Sequence, residues 1–600
     1  MSPQQSFETK RLDPLDLVAG ICHEMGLLEA IDRAVGSSER KISCGVAVQA
    51  MVLHGLGFTS RALYLMPQYL DNKPVDLLIA PNLSAEDFNG DTLGRSLDQL
   101  FERGVTEVFA QVAQQALKTS GIEHRFFHLD IRSFHLHGQY SAEEPQTEAI
   151  EITSGYSRDH RPDLKQVGVN LITGHRSQLP VWMEALSGNH SDKDSFPETI
   201  LAFDKQLKAG QTGFFVVDSA LYGTENLHRL GQIRWLTRVL ETLAEAKRLL
   251  AETVAAQLTE QPDGYAYREV SRAYGGAAQR WLVVYSPTAA AREEKTLLRR
   301  VEKEEKPAQT AWRKLAAQTF NCAEAALAQV QEKWRYHQAV AAAVALTGYP
   351  GPGRPARGAT PEVVGYRLAG QVNRTEEAVG LARRALGRFI LATNELAPKR
   401  LSPEALLAQY KAQAVSVERG FRFLKAPLFF ADSLFLKHPA RIMALIMSMV
   451  LALLVYARAE RKLRKQLAET GETVLNQVGK PTQTPTIRWI FQVFEGIDLL
   501  MPADGAPERA GCHPSGAQSE AGTPDRIEAT RPARGKMLHA WILRCGMGDL
   551  SAQSHPARQQ TTYLETPAGL RGGFPSGFPP DHPGGDGLDE QPPAPNHHRG

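Results

Sequence analysis

Six hundred residues exceed what one hydrophobic core organises, so two or more domains are expected. The apolar share of 42% beside 22% charged residues is that of a soluble globular protein. The 68 basic residues nearly balance the 66 acidic ones, so net charge excludes nothing about nucleic acid and local patches must carry any such role. Five cysteines (Cys22, Cys44, Cys322, Cys512 and Cys545) are odd in number and scattered, with no CxxC or Cys/His ligand spacing. That pattern argues against a disulfide framework or structural zinc and fits a reducing cytoplasm.

The N-terminal MSPQQSFETKRLDPLD lacks the apolar stretch of a signal peptide. Residues 1–118 read as a helical domain. Leu17–Ile31 and Gly45–Leu56 carry apolar residues at helical spacing, and Asp91-Thr92 is placed to cap a third helix containing Leu93, Leu97 and Leu100. A bundle of this kind either docks DNA through a helix-turn-helix or has no DNA contact, and the pattern leaves both open.

At about residue 125 the period changes from helical to alternating. Phe126–Leu129 reads as a strand followed at once by Asp130; Gln166–Thr173 and Leu179–Leu186 continue it as an antiparallel meander. Ser195–Lys208 reads as helix, Gly213–Val217 as a short apolar strand ending on Asp218, and Ile233–Val239 as another strand. Residues 119–240 therefore read as the first part of a mixed α/β core. Residues 241–385 interrupt it as an α+β insertion: a hairpin at Tyr265–Tyr285 around Gly275-Gly276, a charged helical stretch at 288–340 read as a solvated helical hairpin, a Pro/Gly loop at 347–361, and a strand-like segment at Val363–Leu368. The Gly-Arg-Pro centre of that loop suits a minor groove, but a plain linker is the favoured reading.

The core resumes over 386–500 with a strand at Arg388–Thr393, then a long helix after Ser402-Pro403, helical to about residue 425. The apolar run Ile442–Ala457 is 16 residues, short of the ~20 that span a bilayer, and reads as a buried core helix. From about 501 to 600 the chain is rich in Gly, Pro, His and Arg with no sustained periodicity, and disorder is expected.

Asp130 and Asp218 each follow an apolar strand, FFHLD and FFVVD. Two aspartates on neighbouring strands are held rigidly enough to share a divalent ion, although a strand ending in aspartate is by itself a common turn signal. Within YKAQAVSVERGFRFLK (410–425), Glu418, Arg422 and Lys425 fall at i, i+4 and i+7 on one helix face, with Val417, Phe421 and Leu424 turned to another. An acid flanked by two cations suits metal and phosphodiester together; an ordinary amphipathic helix reads equally well. His128, His135 and His137 lie near Asp130, but no further histidine has the spacing of a zinc site.

The 410–425 segment resembles the Tyr–Arg–Glu–Lys signature of the insertion sequence four superfamily of DDE transposases. Glu418 and Lys425 match its spacing, Tyr410 lies one residue further from the glutamate than usual, and Gln413 stands in the arginine position. Further blocks resemble one subgroup: LHGQY (136–140), YSRDHRPDLKQ (156–166), VDSALY (217–222), LATNEL (391–396) and ERGFRFLKAPLFFADSLFLKHPARIMAL (418–445). The resemblance spans roughly residues 1–500. It implies a ribonuclease H-like catalytic core, with Asp130, Asp218 and Glu418 as catalytic ligands of Mg²⁺ or Mn²⁺, and with Lys425, Arg422 and Tyr410 on DNA. It further implies cleavage at transposon ends and strand transfer. The partners would be terminal inverted-repeat DNA, target DNA and a second copy in a homodimer, in a cytoplasmic, nucleoid-associated setting. A ribonuclease H-like nuclease without strand transfer and a catalytically decayed DNA-binding relic are the alternatives.

Three features depart from that family. Ile131-Arg132 follow the first aspartate where small hydroxyl residues are usual, and Leu240 stands where an Arg-Val-Pro-Glu-Thr block has proline. Codons can be chosen for Ser519–Trp541 so that a one-nucleotide shift reads LKPEHRIESKLLGPPVEKCYML, which resembles the family's C-terminal end. On that hypothesis the tail from about 501 is out-of-frame translation.

Overall fold

Strand β1 (Phe7–Arg11) leads into helices α1 (Leu15–Met25), α2 (Leu27–Val35), α3 (Cys44–Leu56), α4 (Met66–Leu70), α5 (Val75–Leu78), α6 (Gly90–Arg103) and α7 (Val105–Ser120). The computed structural model describes residues 7–502 together with 563–565, apart from 37–38, 59–60, 122–124, 139, 141–148, 157–160, 208–212, 331–333, 350–352, 356 and 426–435. The run Leu17–Ile31 is divided between two helices because Gly26 adopts φ 61°, a left-handed conformation that closes α1 and opens α2. Helix α3 is apolar on all sides and buried on all sides; the Ser43 side chain caps it by accepting from the Val46 N–H. Helix α6 starts before Asp91-Thr92. Its cap is Asn89, whose side chain accepts from the Thr92 N–H at 3.0 Å.

The next segment builds a mixed α/β architecture around one nine-stranded sheet. In chain order come β2 (Phe126–Leu136), β3 (Lys165–Gly174), β4 (Pro180–Leu186), α8 (Asp192–Gln206), β5 (Phe214–Val217), α9 (Thr224–Leu230), β6 (Arg234–Arg238), α10 (Ala244–Glu252), β7 (Thr259–Glu260), β8 (Ala266–Tyr274) and β9 (Ala277–Tyr285). The expected meander forms, with β2–β3 and β3–β4 antiparallel, and β5 and β6 then add parallel to β2. One expectation needs correction: Asp130 does not end its strand, because β2 continues to Leu136. The β8–β9 hairpin turns on Gly275 and Gly276, both at positive φ as a two-residue hairpin turn of mirror-image type requires.

The charged stretch is a single 30-residue helix, α11 (Pro287–Ala316), followed by the short α12 (Ala323–Ala328). No helical hairpin forms, because from His337 the chain turns to strand. Strands β10 (His337–Gly348) and β11 (Glu362–Arg374) make an antiparallel ribbon joined across the Pro/Gly loop. Ala339, Ala341 and Ala343 of the ribbon pack toward Trp312 and Ala326 while Val340 and Val344 face outward. The helical reading of 288–340 fails at its end, where Ala339 lies on the inner, period-two face of a strand.

After α13 (Glu376–Arg384), β12 (Arg388–Thr393) returns to the main sheet between β6 and β9, giving the order β4-β3-β2-β5-β6-β12-β9-β8-β7. Helix α14 (Pro403–Leu424) is capped by Ser402 with Pro403 in its first turn. Helix α15 (Pro439–Thr470) contains the apolar run Ile442–Ala457. By length and composition it is long enough to cross a membrane, but 67% of its most apolar window is buried inside the protein. Its residues share one core with α1–α3, α6, α7 and the end of β2, and Arg441 ties it to Asp98 of α6 by two hydrogen bonds of 2.7 and 2.8 Å. Short strands β13 (Val474–Leu475) and β14 (Pro481–Thr482), helix α16 (Ile487–Val493) and β15 (Ile497–Pro502) follow; β15 pairs with β1 and with β16 (Tyr563–Glu565). The rest of the tail lies outside the described residues, as do Gln139, 157–160 and 426–435 of the resembling blocks.

Candidate functional site

Register brings the first two predicted acids together. Leu129 of β2 lies opposite Val217 of β5, and Val217 opposite Thr237 of β6, all in parallel pairing. The next residues along these strands are Asp130, Asp218 and Arg238, forming a row across strands roughly 4.8 Å apart. Side chains alternate along β2. Phe127, Leu129 and Ile131 enter the core beneath the sheet, while Phe134 and Leu136 join the core on the opposite side. Asp130 and Arg132 therefore share the face of Phe134, toward α14, where the Phe134 and Phe421 rings lie 6.4 Å apart.

Asp218 sits where β5 ends in a short turn. Its carboxylate accepts from Ser219 Oγ at 2.8 Å and the Ala220 N–H at 3.2 Å, and its carbonyl accepts from Thr237 Oγ1 at 2.7 Å. Helix α14 supplies the opposite wall, pinned in part by Gln413 Nε2 donating to the Leu129 carbonyl at 3.3 Å. Asp130, Asp218, Glu418 and Tyr410 thus line a single open cleft of about 360 Å³, together with Arg132, Arg238, Leu240, Glu241 and Gln413. The sequence reading assigned the first four; Arg132 and Leu240 were marked only as departures.

Asp130 is nearly sealed from water, at 4% exposed. Its carboxylate receives Arg132 in a fork, Nη2 at 2.9 Å and Nη1 at 3.3 Å, and also the Ile131 N–H at 2.8 Å. The Arg132 guanidinium lies 6.0 Å from the Phe421 ring centre. In this arrangement no group of three or more His, Cys, Asp or Glu side chains among the described residues could hold a metal ion. The donor atoms are the oxygens that Mg²⁺ prefers, but the cation on Asp130 is the protein's own.

Arg238 is the second cation of the cleft. It pairs with Glu241 and lies 5.1 Å from the Phe389 ring. Burial acts to lower its pKa, but Tyr410 and Glu241 outweigh that and raise it, so it stays charged. Burial raises the Tyr410 pKa, and Asp218 and Glu418 push the same way against Arg238, so its hydroxyl stays protonated. Arg238 was legible in the Arg-Val-Leu-Glu-Thr block but was not assigned to the site.

Arg422 and Lys425 do not line the cleft. Arg422 is exposed, and Lys425 ends α14 half-buried, its Nζ 5.8 Å from the Phe134 ring. Val417, Phe421 and Leu424 are buried at 0%, 2% and 2%, as their spacing implied. Sequence reading missed what anchors Glu418. The adjacent Arg419 donates to both oxygens of Glu460 at 2.5 and 2.6 Å; Arg464 joins at 2.9 Å and the Ile487 N–H at 3.1 Å, locking α14 to α15 and α16.

Residues 7–114, from β1 into α7, match the family described as a domain of unknown function, DUF4277. No curated protein matches the chain. Among solved structures, a piggyBac transposase synaptic complex with hairpin DNA aligns over 82% of this chain and 83% of that one, at 8% identity and a TM-score of 0.35.

Proposed function

We propose that the chain is a DNA transposase of the DDE type, cleaving element ends and joining them to target DNA through Asp130, Asp218 and Glu418. One observation carries this reading: carboxylates separated by 88 and 200 residues in sequence line one open cleft with two arginines. Three antiparallel strands followed by two parallel to the first, β4-β3-β2-β5-β6, fit a ribonuclease H-like core interrupted by an insertion before the Glu418 helix. The N-terminal domain is of a kind found in transposase-like proteins, which also supports the reading.

The chemistry follows from the residues present. A phosphodiester entering the cleft meets Arg132 and Arg238, whose planar guanidiniums bind phosphate oxygens in pairs. The Tyr410 hydroxyl, held protonated, donates to such an oxygen as well. These contacts position the backbone without reading bases; Lys425 and Arg422, further along α14, extend the cationic track. Divalent-ion chemistry of the superfamily kind needs Asp130 as an open ligand, and the fork from Arg132 does not fit that requirement as it stands. Terminal-repeat DNA, target DNA and a second copy of the chain are the proposed partners, in a nucleoid-associated cytoplasmic setting.

The test is cleavage of a labelled duplex carrying the element's own end, in Mg²⁺ or Mn²⁺, beside Asp218→Ala. Cutting at the element boundary that the substitution abolishes supports the proposal. End binding without cutting, equal in both proteins, would replace it with a DNA-binding relic.

A further inference from the structure

We infer that Arg132 and a divalent ion are alternative occupants of Asp130, so that metal enters the cleft only when the guanidinium leaves. The inference rests on the carboxylate-cleft reading above and deepens it. A carboxylate as buried as Asp130 needs a counter-charge in its place or it carries a heavy desolvation cost. Period-two alternation puts the residue two places on along β2 on the same face, and that residue is an arginine. Its fork spans both Asp130 oxygens, at 2.9 and 3.3 Å. A metal bound to either oxygen would stand against a like charge within contact distance.

The geometry also provides a way out. The Arg132 side chain is 30% exposed, against 5% for Asp130, so the arginine has water to turn into where the carboxylate has almost none. The cleft is open, and a phosphate there competes for the same fork. With the guanidinium on it, Asp130 is already neutralised rather than open to an ion.

Mn²⁺ binding to the full chain without DNA, read from the electron paramagnetic resonance signal of the unbound ion, tests this directly. Arg132→Ser should bind Mn²⁺ on the order of tenfold more tightly than the unmodified chain, the equivalent of one charge-assisted pair removed from competition. Arg132→Lys, which keeps the charge but loses the fork, should fall between them. Adding Asp130→Asn to Arg132→Ser should erase the gain. Circular dichroism and the urea midpoint establish that each variant is folded, and Arg132→Gln serves if the serine variant is not. Equal, measurable affinity in the unmodified chain and the folded variants overturns the inference and leaves the carboxylate site standing. No Mn²⁺ binding by any of them overturns both.

Discussion

Asp130 in the cleft and Glu460 at the junction of α14, α15 and α16 are both buried carboxylates that hold arginine, with side chains 5% and 7% exposed. Glu460 gathers Arg419 from α14, Arg464 from its own helix and the Ile487 N–H from α16. Its bonds join three elements distant in sequence, so their loss would let those elements part. Asp130 receives Arg132 and the Ile131 N–H, both from its own strand. A buried charge that fastens elements together is explained by the fold. One on the wall of an open cleft beside Asp218, Glu241 and Glu418 calls for a functional explanation.

The largest effect that sharpens this contrast is expected at Glu460. Glu460→Ala leaves two arginines facing each other with no anion between them, and should lower unfolding free energy by about 3–5 kcal/mol in urea titration. A loss under about 1 kcal/mol would place Glu460 with Asp130 rather than against it. Leu451→Ala probes the apolar side of the same helix. Leu451 is fully buried in the core that α15 shares with the N-terminal helices. The expected cost is about 2–5 kcal/mol. A loss near zero would mean that the ion network alone holds α15 in place.

The N-terminal body also contains a titratable group with a definite sign. Burial, reinforced by Arg61, pushes the pKa of His54 on α3 down to about 4, so the folded protein keeps this ring neutral. The unfolded chain takes up the proton below about 6.5, the ordinary histidine value. Stability from this residue is therefore complete above pH 6.5. It falls as pH drops toward 4, with a slope of up to about 1.4 kcal/mol per pH unit, and stops falling below the folded value. Unfolding measured from pH 7 to pH 4.5 should show a shallower decline in His54→Gln. Parallel curves for the two proteins would contradict the assignment.

Much of the architecture was legible because period and punctuation agree locally. QVGVNLIT and the Gly275-Gly276 turn each give the element that forms, FFHLD gives the start of a strand that runs on past Asp130, and Ser402-Pro403 marks the start of α14. The β10 strand was not, since alanine at alternate positions carries a helix-forming composition and its inner face is defined only by Trp312, far off in sequence. In the site, Asp130, Asp218, Tyr410 and Glu418 were legible as residues, but their convergence depends on sheet register between strands 88 residues apart and on the packing of α14 over them, which no local pattern encodes. Arg132 was visible as an oddity of sequence; only the strand's alternation turns it onto Asp130. The Arg419–Glu460 link was hidden altogether, because nothing local distinguishes Arg419 from the exposed Arg422 on the same helix.

The smallest predicted effect tests the cleft side of the contrast. Asp130→Asn keeps the shape of the side chain and an oxygen that accepts from the Ile131 N–H. It releases Arg132, whose partly exposed side chain returns its charge to water rather than remaining buried without a partner. The cost to folding should then be about 1 kcal/mol or less, in the range of solvent-accessible pairs, even though the substituted residue is as buried as Glu460. Urea unfolding of Asp130→Asn beside Glu460→Ala makes the comparison in one experiment. A loss of 3 kcal/mol or more at Asp130 would show that the Asp130–Arg132 pair holds the fold together. Arg132 would then have no freedom to leave, and the cleft could not open to a metal by the route inferred from its geometry.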